Sequence, residues 1–164
     1  MNKPALKPQS TTCFGINLVT SRFGGCLCGA VRYAAKGKPL WIAHCHCRSC
    51  RRQSGAPFVT WAGYRPAACT WLRGTPNSFN SSERVIRRFC AACGTPLTYE
   101  STRWPDELHI LVATLDEPES LTPTAHVFWS EHLSWITMGD KLKKLETIGV
   151  SPEGNSYDKR NHDP

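Results

Sequence analysis

The chain has 164 residues, of which 40% are hydrophobic, and its 20 Lys and Arg against 13 Asp and Glu give a formal charge of +7. This length and composition fit one globular domain with its own hydrophobic core. The N-terminal segment MNKPALKPQS has no apolar run of signal-peptide length. The sequence also lacks the ~18 consecutive apolar residues that a membrane span needs. We therefore expect a cytoplasmic protein without a membrane partner.

Short apolar or alternating segments, separated by Gly, Pro, Asn and Ser, predict a chain that is mainly β. The predicted strands, in chain order, are AVRYAA (30–35), PFVTWAGY (57–64), RVIRRF (84–89), PLTYES (96–101), LHILVAT (108–114) and AHVFWS (125–130). Short helices are predicted for RSCRRQSG (48–55) and for the stretch after Trp135. The polar segments 1–20 and 148–164 are predicted tails around one domain at 21–147.

Seven of the nine cysteines fall into three short groups, which favours metal-bound thiols over disulfides in a cytoplasmic chain. Cys90 and Cys93 in CAACG form a two-thiolate knuckle whose turn Gly94 can close. Cys26 and Cys28, in CLCG, supply the other half of a tetrahedron. We predict that these four cysteines hold one closed, structural zinc ion. Inert buried thiols or a disulfide are the alternatives.

The remaining group, CHCRSC, contains Cys45, Cys47 and Cys50. Three thiolates leave one position on a tetrahedral zinc ion open, as in catalytic sites. His44 or His46 could close that position, although on an extended strand both would face away from Cys45 and Cys47. Packing or hydrogen bonding around the ligands is the other role open to these histidines.

Arginines follow this group closely, at Arg48, Arg51 and Arg52. Zinc with three thiolates carries a charge of about −1, and a fourth thiolate makes it about −2, so nearby positive charge is favourable. These arginines could also bind a substrate carboxylate, and a solvated charged surface is the alternative. Arg87 and Arg88 are expected beside the structural zinc.

Cys13 and Cys69 have no ligand partner nearby in the sequence and are predicted to be ordinary thiols. The six tryptophans are scattered and do not alternate with a basic run. They are predicted to line the core and pocket walls, and nucleic acid is not an expected partner. His46, His126 and His132 are the candidates for a general base. The sequence gives no prediction of the oligomeric state.

Four motifs together resemble the glutathione-dependent formaldehyde-activating enzyme family, whose domain also occurs in centromere protein V. They are GGCLCGAVRY, CHCRSCRRQSGAPF, FCAACGTPL and TLDEP, followed by a histidine and SWI, within residues 22–145. The resemblance implies an Mss4-like fold of short antiparallel sheets stapled by zinc. It also implies two zinc ions per chain, a structural one on Cys26, Cys28, Cys90 and Cys93 and a catalytic one on Cys45, Cys47 and Cys50.

The activity implied by the resemblance is that of a carbon-sulfur lyase similar to S-(hydroxymethyl)glutathione synthase. Its expected partners are a small thiol such as glutathione and an aldehyde such as formaldehyde. A zinc-stabilised binding module without catalytic activity is the alternative, and it would place its basic residues away from the metal. A methionine sulfoxide reductase would need a reactive cysteine after Cys93, and none is present.

Overall fold

The computed structural model describes residues 20–148, which form eleven β-strands, one α-helix and four short 3-10 turns. The strands are β1 (Ser21–Gly25), β2 (Arg32–Lys36), β3 (Trp41–Cys45), β4 (Val59–Tyr64), β5 (Cys69–Arg73), β6 (Asn77–Ser82), β7 (Val85–Phe89), β8 (Pro96–Ser101), β9 (Leu108–Leu111), β10 (Ala125–Val127) and β11 (Lys143–Lys144). The helix, α1 (Arg48–Ser54), connects β3 to β4. The prediction of a mainly β chain is confirmed.

The strands form two sheets. The larger has eight strands in the order β11-β10-β3-β4-β9-β8-β7-β6, and the smaller has three in the order β1-β2-β5. Every pairing is antiparallel except those of β10, which runs parallel to both β3 and β11. The prediction of short antiparallel sheets is therefore confirmed, with one mixed edge on the larger sheet.

The main core lies between the two sheets. Tyr33 and Ala35 of β2 belong to the same buried cluster as Ala62 and Tyr64 of β4 and Ile110 of β9. Their apolar surface is removed from water on both sides, which favours the packed state by roughly 25 cal/mol for each Å² buried. This packing fixes the smaller sheet against one face of the larger one.

A second core covers the opposite face of the larger sheet. Trp61 precedes Ala62 on β4, and Leu111 follows Ile110 on β9. Because neighbouring strand residues point to opposite faces, Trp61 and Leu111 point away from the main core. Cys45 and Cys50 belong to this second cluster with them. The CHCRSC segment is therefore built into a buried face of the sheet and not into a surface loop.

Several predicted elements end earlier than the sequence pattern indicates. The segment AHVFWS is a strand only over Ala125–Val127, because Phe128 takes a left-handed conformation with a φ of 55° and starts a 3-10 turn. That backbone conformation costs a non-glycine residue about 1 kcal/mol or more, so the surrounding packing must hold it. LHILVAT likewise leaves the sheet after Leu111.

The prediction of a helix after Trp135 is wrong. The chain there is irregular, and the Asp140 carboxylate accepts hydrogen bonds from the His126 ring and from the backbone N–H of Leu142. A short acidic side chain that bonds the backbone in this way competes with helix formation. The sequence also does not predict β1, β3, β5 and β6, whose segments lack clear alternation, or the two-residue strand β11, which lies in the stretch predicted to be helical.

The helix predicted at RSCRRQSG is confirmed as α1, which has seven residues. Within residues 20–148, none of the helical segments is long and apolar enough to cross a membrane. The predicted tails, with Cys13, lie outside the described residues apart from Thr20 and Ile148. The domain boundaries at 21–147 and the cytoplasmic location stay predictions.

Removal of Leu97 from the main core tests this packing. Leu97 is fully buried in that cluster, so Leu97→Ala should lower the free energy of unfolding by about 2–5 kcal/mol. Leu72→Ala is the matched control, because Leu72 is 41% exposed on β5 and its loss should change stability by less than about 0.5 kcal/mol. Urea unfolding followed by fluorescence measures both values. Equal effects would contradict the assignment of the core.

Candidate metal centres

Four cysteines from two distant chain segments meet at one point. The Sγ atoms of Cys26, Cys28, Cys90 and Cys93 all lie within 4.8 Å of one another. Cys28 Sγ is 3.5 Å from Cys26 Sγ and 3.8 Å from Cys90 Sγ. A tetrahedral zinc ion with bonds of ~2.3 Å separates its sulfur ligands by about 3.8 Å. The four-thiol group thus has the composition and spacing of a closed zinc site.

Tight turns bring each pair of these sulfurs together. The Gly94 N–H donates to the Cys90 carbonyl over 2.8 Å, and Gly94 has a φ of 74°, as the knuckle prediction requires. The Gly29 N–H donates to the Cys26 carbonyl over 3.0 Å, and Gly29 has a φ of 73°. The two halves of the four-thiol group are therefore two glycine-closed turns of the same kind.

Thr95 ties the two turns to each other. Its hydroxyl accepts the Leu27 N–H over 3.1 Å and lies 3.1 Å from Cys93 Sγ. Hydrogen bonds from the Thr95 side chain and backbone lower the pKa of Cys93 to about 5. The Val31 N–H also donates to Cys26 Sγ over 3.2 Å. These donors favour the thiolate form that a bound metal ion requires.

The second group contains three cysteines, Cys45, Cys47 and Cys50, whose Sγ atoms lie within 4.8 Å of one another. Cys45 is the last residue of β3, Cys47 is the N-cap of α1, and Cys50 is buried within that helix. The Cys47 sulfur accepts the Cys50 N–H over 3.4 Å, and Gly55 ends the helix in a left-handed conformation. The strand end and helix start therefore place all three sulfurs together.

Histidines surround the three-thiol group without joining it. Among residues 20–148, no histidine nitrogen or carboxylate oxygen joins the three sulfurs within 4.8 Å. The Nδ1 atom of His44 lies 2.9 Å from the Thr60 hydroxyl, so that ring is bonded to β4. The structure thus agrees with the expectation that His44 and His46 face away from the sulfurs, and the group offers three ligands.

His46 instead begins a buried chain of polar groups. Its Nε2 atom is 2.9 Å from His126 Nδ1, and His126 Nε2 is 3.1 Å from each Asp140 carboxylate oxygen. A carboxylate only accepts hydrogen bonds, so with neutral rings His126 donates to Asp140 and His46 donates to His126. Burial, and repulsion by His126 and His132 when those rings are protonated, lowers the pKa of His46 to about 4. His46 is thus held in one orientation as a neutral ring.

The Cys50 thiol is the most polarised of the three. The Trp61 indole N–H donates to Cys50 Sγ over 3.4 Å. Hydrogen bonds from Cys45 and Cys47 lower the pKa of Cys50, and the positive charge of Arg87 lowers it further. Hydrogen bonding with Cys47 and Cys50 raises the pKa of Cys45.

The arginines that follow the three-thiol motif lie with Cys50 on α1, as expected from the sequence. Arg48 and Arg52 are exposed, and Arg51 donates its Nε–H to the His46 carbonyl over 3.0 Å. The buried arginine is Arg87, which acts on the three-thiol group and not on the four-thiol group, so its expected place is corrected here. Alternation along β7 places Arg87 on the same buried face as Val85, but it does not predict which thiol group that face meets.

Cys69 lies outside both groups. It is half-buried on β5, and burial raises its pKa to about 12, which agrees with the predicted ordinary thiol. Sequence reasoning missed Trp61 and Tyr99 as neighbours of the three-thiol group, and Asp140 as the carboxylate at the end of the histidine chain. No local motif marks them, because they reach the site through strand pairing and the irregular segment near the end of the described residues.

The described residues define a mainly β domain with two thiol groups, each of which could bind a metal ion. A family model described as glutathione-dependent formaldehyde-activating enzyme matches residues 21–131, which include all seven clustered cysteines. The chain belongs to this family, and the resemblance seen in its motifs is confirmed.

Known proteins with similar sequences or structures are distant. An uncharacterized lyase of Schizosaccharomyces pombe is 28% identical over 109 residues, which cover 63% of this chain and 75% of the relative. A Halomonas elongata protein provisionally named as a glutathione-dependent formaldehyde-activating enzyme is 23% identical over 122 residues, or 69% and 78% of the two chains. A crystal structure of a Rhodobacter sphaeroides protein matches with a TM-score of 0.50 and 24% identity, over 62% of this chain and 91% of that one. That likeness supports the fold.

Substitution of one cysteine in each group should separate their roles. Cys90→Ala removes a buried ligand that joins distant segments, so the domain should unfold or lose roughly 10 °C in melting temperature. Cys47→Ala leaves the four-thiol group intact and should cost only about 3 °C. Differential scanning calorimetry of the metal-loaded variants measures both. Equal losses would contradict a division into a structural and a reactive group.

Proposed function

We propose that this protein is a zinc-dependent carbon-sulfur lyase that acts on a small thiol and its aldehyde adduct, as S-(hydroxymethyl)glutathione synthase does. Membership of this family and the name of the Halomonas elongata relative support a reaction of glutathione with formaldehyde. Two zinc ions per chain are part of the proposal. Cys26, Cys28, Cys90 and Cys93 hold the structural ion, and Cys45, Cys47 and Cys50 hold the reactive one.

One observation carries this proposal: the second group gathers three thiols, and no fourth His, Cys, Asp or Glu ligand joins them within residues 20–148. A purely structural zinc site is normally closed by four protein ligands, whereas a catalytic site keeps one position for water or substrate. The chain builds a four-ligand site elsewhere, so the three-ligand arrangement is a specific property of this group.

The exposure of the three cysteines indicates the side from which a substrate thiol enters. Cys45 and Cys50 are each 5% exposed and face the second core, whereas Cys47 at the helix start is half-buried. An incoming thiol therefore meets the group from the Cys47 side.

The chemistry needs no oxidant or reductant. A zinc ion in the three-thiol group would keep an incoming thiol in its thiolate form near neutral pH. The sulfur attacks the carbonyl carbon of the aldehyde, a carbon-sulfur bond forms, and the carbonyl oxygen takes up the proton that the thiol has given up. The protein's own contribution is to fix the ligands and hold both reactants in place, which turns a bimolecular step into a local one.

The non-catalytic alternative, a zinc-stabilised binding module, would place its basic residues away from the metal. In the structure, Arg87 is buried and hydrogen-bonded to Gln53 of α1, whereas Arg48 at the start of α1 and Arg52 in its last turn are exposed. A binding module has no use for a buried cation at an incomplete ligand set. The position of Arg87 therefore favours the enzyme.

Exchange NMR with 13C-labelled formaldehyde and glutathione tests the proposed activity. The zinc-loaded protein should accelerate exchange between hydrated formaldehyde and S-hydroxymethylglutathione above the spontaneous rate. Cys47→Ala should abolish the acceleration, because two thiolates do not hold the ion in reactive geometry. Cys69→Ala is the matched control and should retain full activity, since this thiol lies outside both groups. A zinc-loaded wild-type protein that leaves the spontaneous exchange rate unchanged would contradict the proposal.

A further inference from the structure

Arg87 is an unusual residue for the middle of a sheet. It lies in β7, and only 6% of its surface is exposed. A guanidinium group stays charged in proteins, and burial of an unpaired charge costs several kcal/mol after relaxation. Buried arginines are therefore normally paired with an anion.

The polar groups around Arg87 are neutral. Its Nε–H donates to the Ser81 hydroxyl over 3.1 Å, and its Nη1–H donates to the Gln53 side-chain oxygen over 3.1 Å. The guanidinium carbon also lies 5.0 Å from the centroid of the Tyr99 ring. These contacts orient the side chain firmly, but none of them supplies a negative charge.

Arg88, the next residue, shows the usual arrangement. Its Nε atom lies 2.6 Å from a Glu100 carboxylate oxygen on the other face of the sheet. Within residues 20–148, no carboxylate oxygen lies within ion-pair distance of Arg87. Arg88 thus has a protein counterion, whereas the buried Arg87 has none among the described residues.

The contacts of Arg87 connect it to the three-thiol group by two routes. Its partner Gln53 lies three residues after Cys50 in α1, and residues at this spacing share a helix face. The Tyr99 ring, which packs against the second core, is 6.2 Å from the Trp61 ring, whose N–H donates to Cys50 Sγ. Arg87 is therefore linked to Cys50 through Gln53 on the helix and through Tyr99 and Trp61 on the sheet.

We infer that Arg87 is the built-in counterion of the metal-thiolate centre at Cys45, Cys47 and Cys50, and that it makes this centre prefer an anionic thiolate as its exogenous ligand. The inference rests on the proposed function, because it assumes a divalent ion in the three-thiol group. That ion with three thiolates has a charge of about −1, which pairs with Arg87, and a substrate thiolate brings it to about −2. A buried positive charge stabilises both states, and the second more strongly.

The other arginines near this group are poorly placed for the same role. Arg48 and Arg52 are exposed, where water and salt screen their charge. Arg51 directs its Nε–H to a backbone carbonyl. Among the described arginines, Arg87 alone combines burial, neutral hydrogen-bond partners and contacts with both α1 and Tyr99 of the second core.

The first test is the zinc affinity of the three-thiol group, measured by chelator competition with the full chain. Arg87→Met should weaken it by roughly tenfold to a hundredfold, as expected for one opposite charge close to the ligands. Arg87→Lys keeps the charge and should recover most of the affinity, and Arg88→Met, the matched control, should change it less than about twofold. The four-thiol group is an internal reference whose affinity should stay constant in all variants.

Gln53→Glu provides a second test that leaves Arg87 in place. The new carboxylate would pair with Arg87 at the position of the present 3.1 Å hydrogen bond and cancel its charge. We expect the zinc affinity of the three-thiol group to fall about as far as in Arg87→Met, without loss of the fold. This variant keeps the inference testable if Arg87→Met does not fold.

Thiol binding completes the experiment. Titration of the cobalt-loaded protein with 2-mercaptoethanol, a thiol with no carboxylate, is followed through thiolate-to-cobalt charge-transfer absorption. Arg87→Met and Gln53→Glu should weaken thiol binding at least about tenfold. Wild-type protein that binds only one metal ion would overturn the proposed function and this inference with it. Two ions in every variant, with unchanged zinc and thiol affinities in Arg87→Met and Gln53→Glu, would overturn this inference alone.

Discussion

The arrangement of this domain depends on how its seven clustered sulfurs are grouped. Four of them join the turn after β1 to the turn after β7, roughly 60 residues apart in the chain. A metal ion held between such distant segments restricts the unfolded chain and fixes the smaller sheet against the larger one. This leaves the opposite face of the larger sheet free to bury the other three sulfurs. We therefore interpret the four-thiol group as the support on which the three-thiol group depends.

Charge is the second constraint. Thiolates in a buried site need positive charge, and a metal ion with three of them still leaves a net negative charge. Arg87 adjoins the group from within the sheet, oriented by Ser81 and Gln53. His46, by contrast, is neutral and bonded to His126. A site with these properties binds an anionic sulfur more favourably than a neutral ligand, which fits a reaction in which a thiol must be held as a nucleophile.

Much of the site was predictable because cysteine spacing is a local signal. The pairs at Cys26 and Cys90, the triplet at Cys45 and the helix after it follow from ligand spacing and turn-forming glycines. The position of Arg87 was not predictable from spacing, since strand pairing decides which face of β7 meets α1. β6 was missed because it is a polar edge strand, and the irregular segment after Trp135 is fixed by the distant pair His126 and Asp140.

We propose that the seven clustered cysteines hold two metal ions in unlike ways. Elemental analysis of the purified protein, combined with zinc X-ray absorption spectroscopy before and after mild chelation, tests it most directly. We predict two zinc ions that share seven protein sulfur ligands, with one ion released by the chelator and protected by added glutathione. The ion that remains should have four sulfur ligands. A single tightly bound ion, indifferent to thiols, would contradict the account.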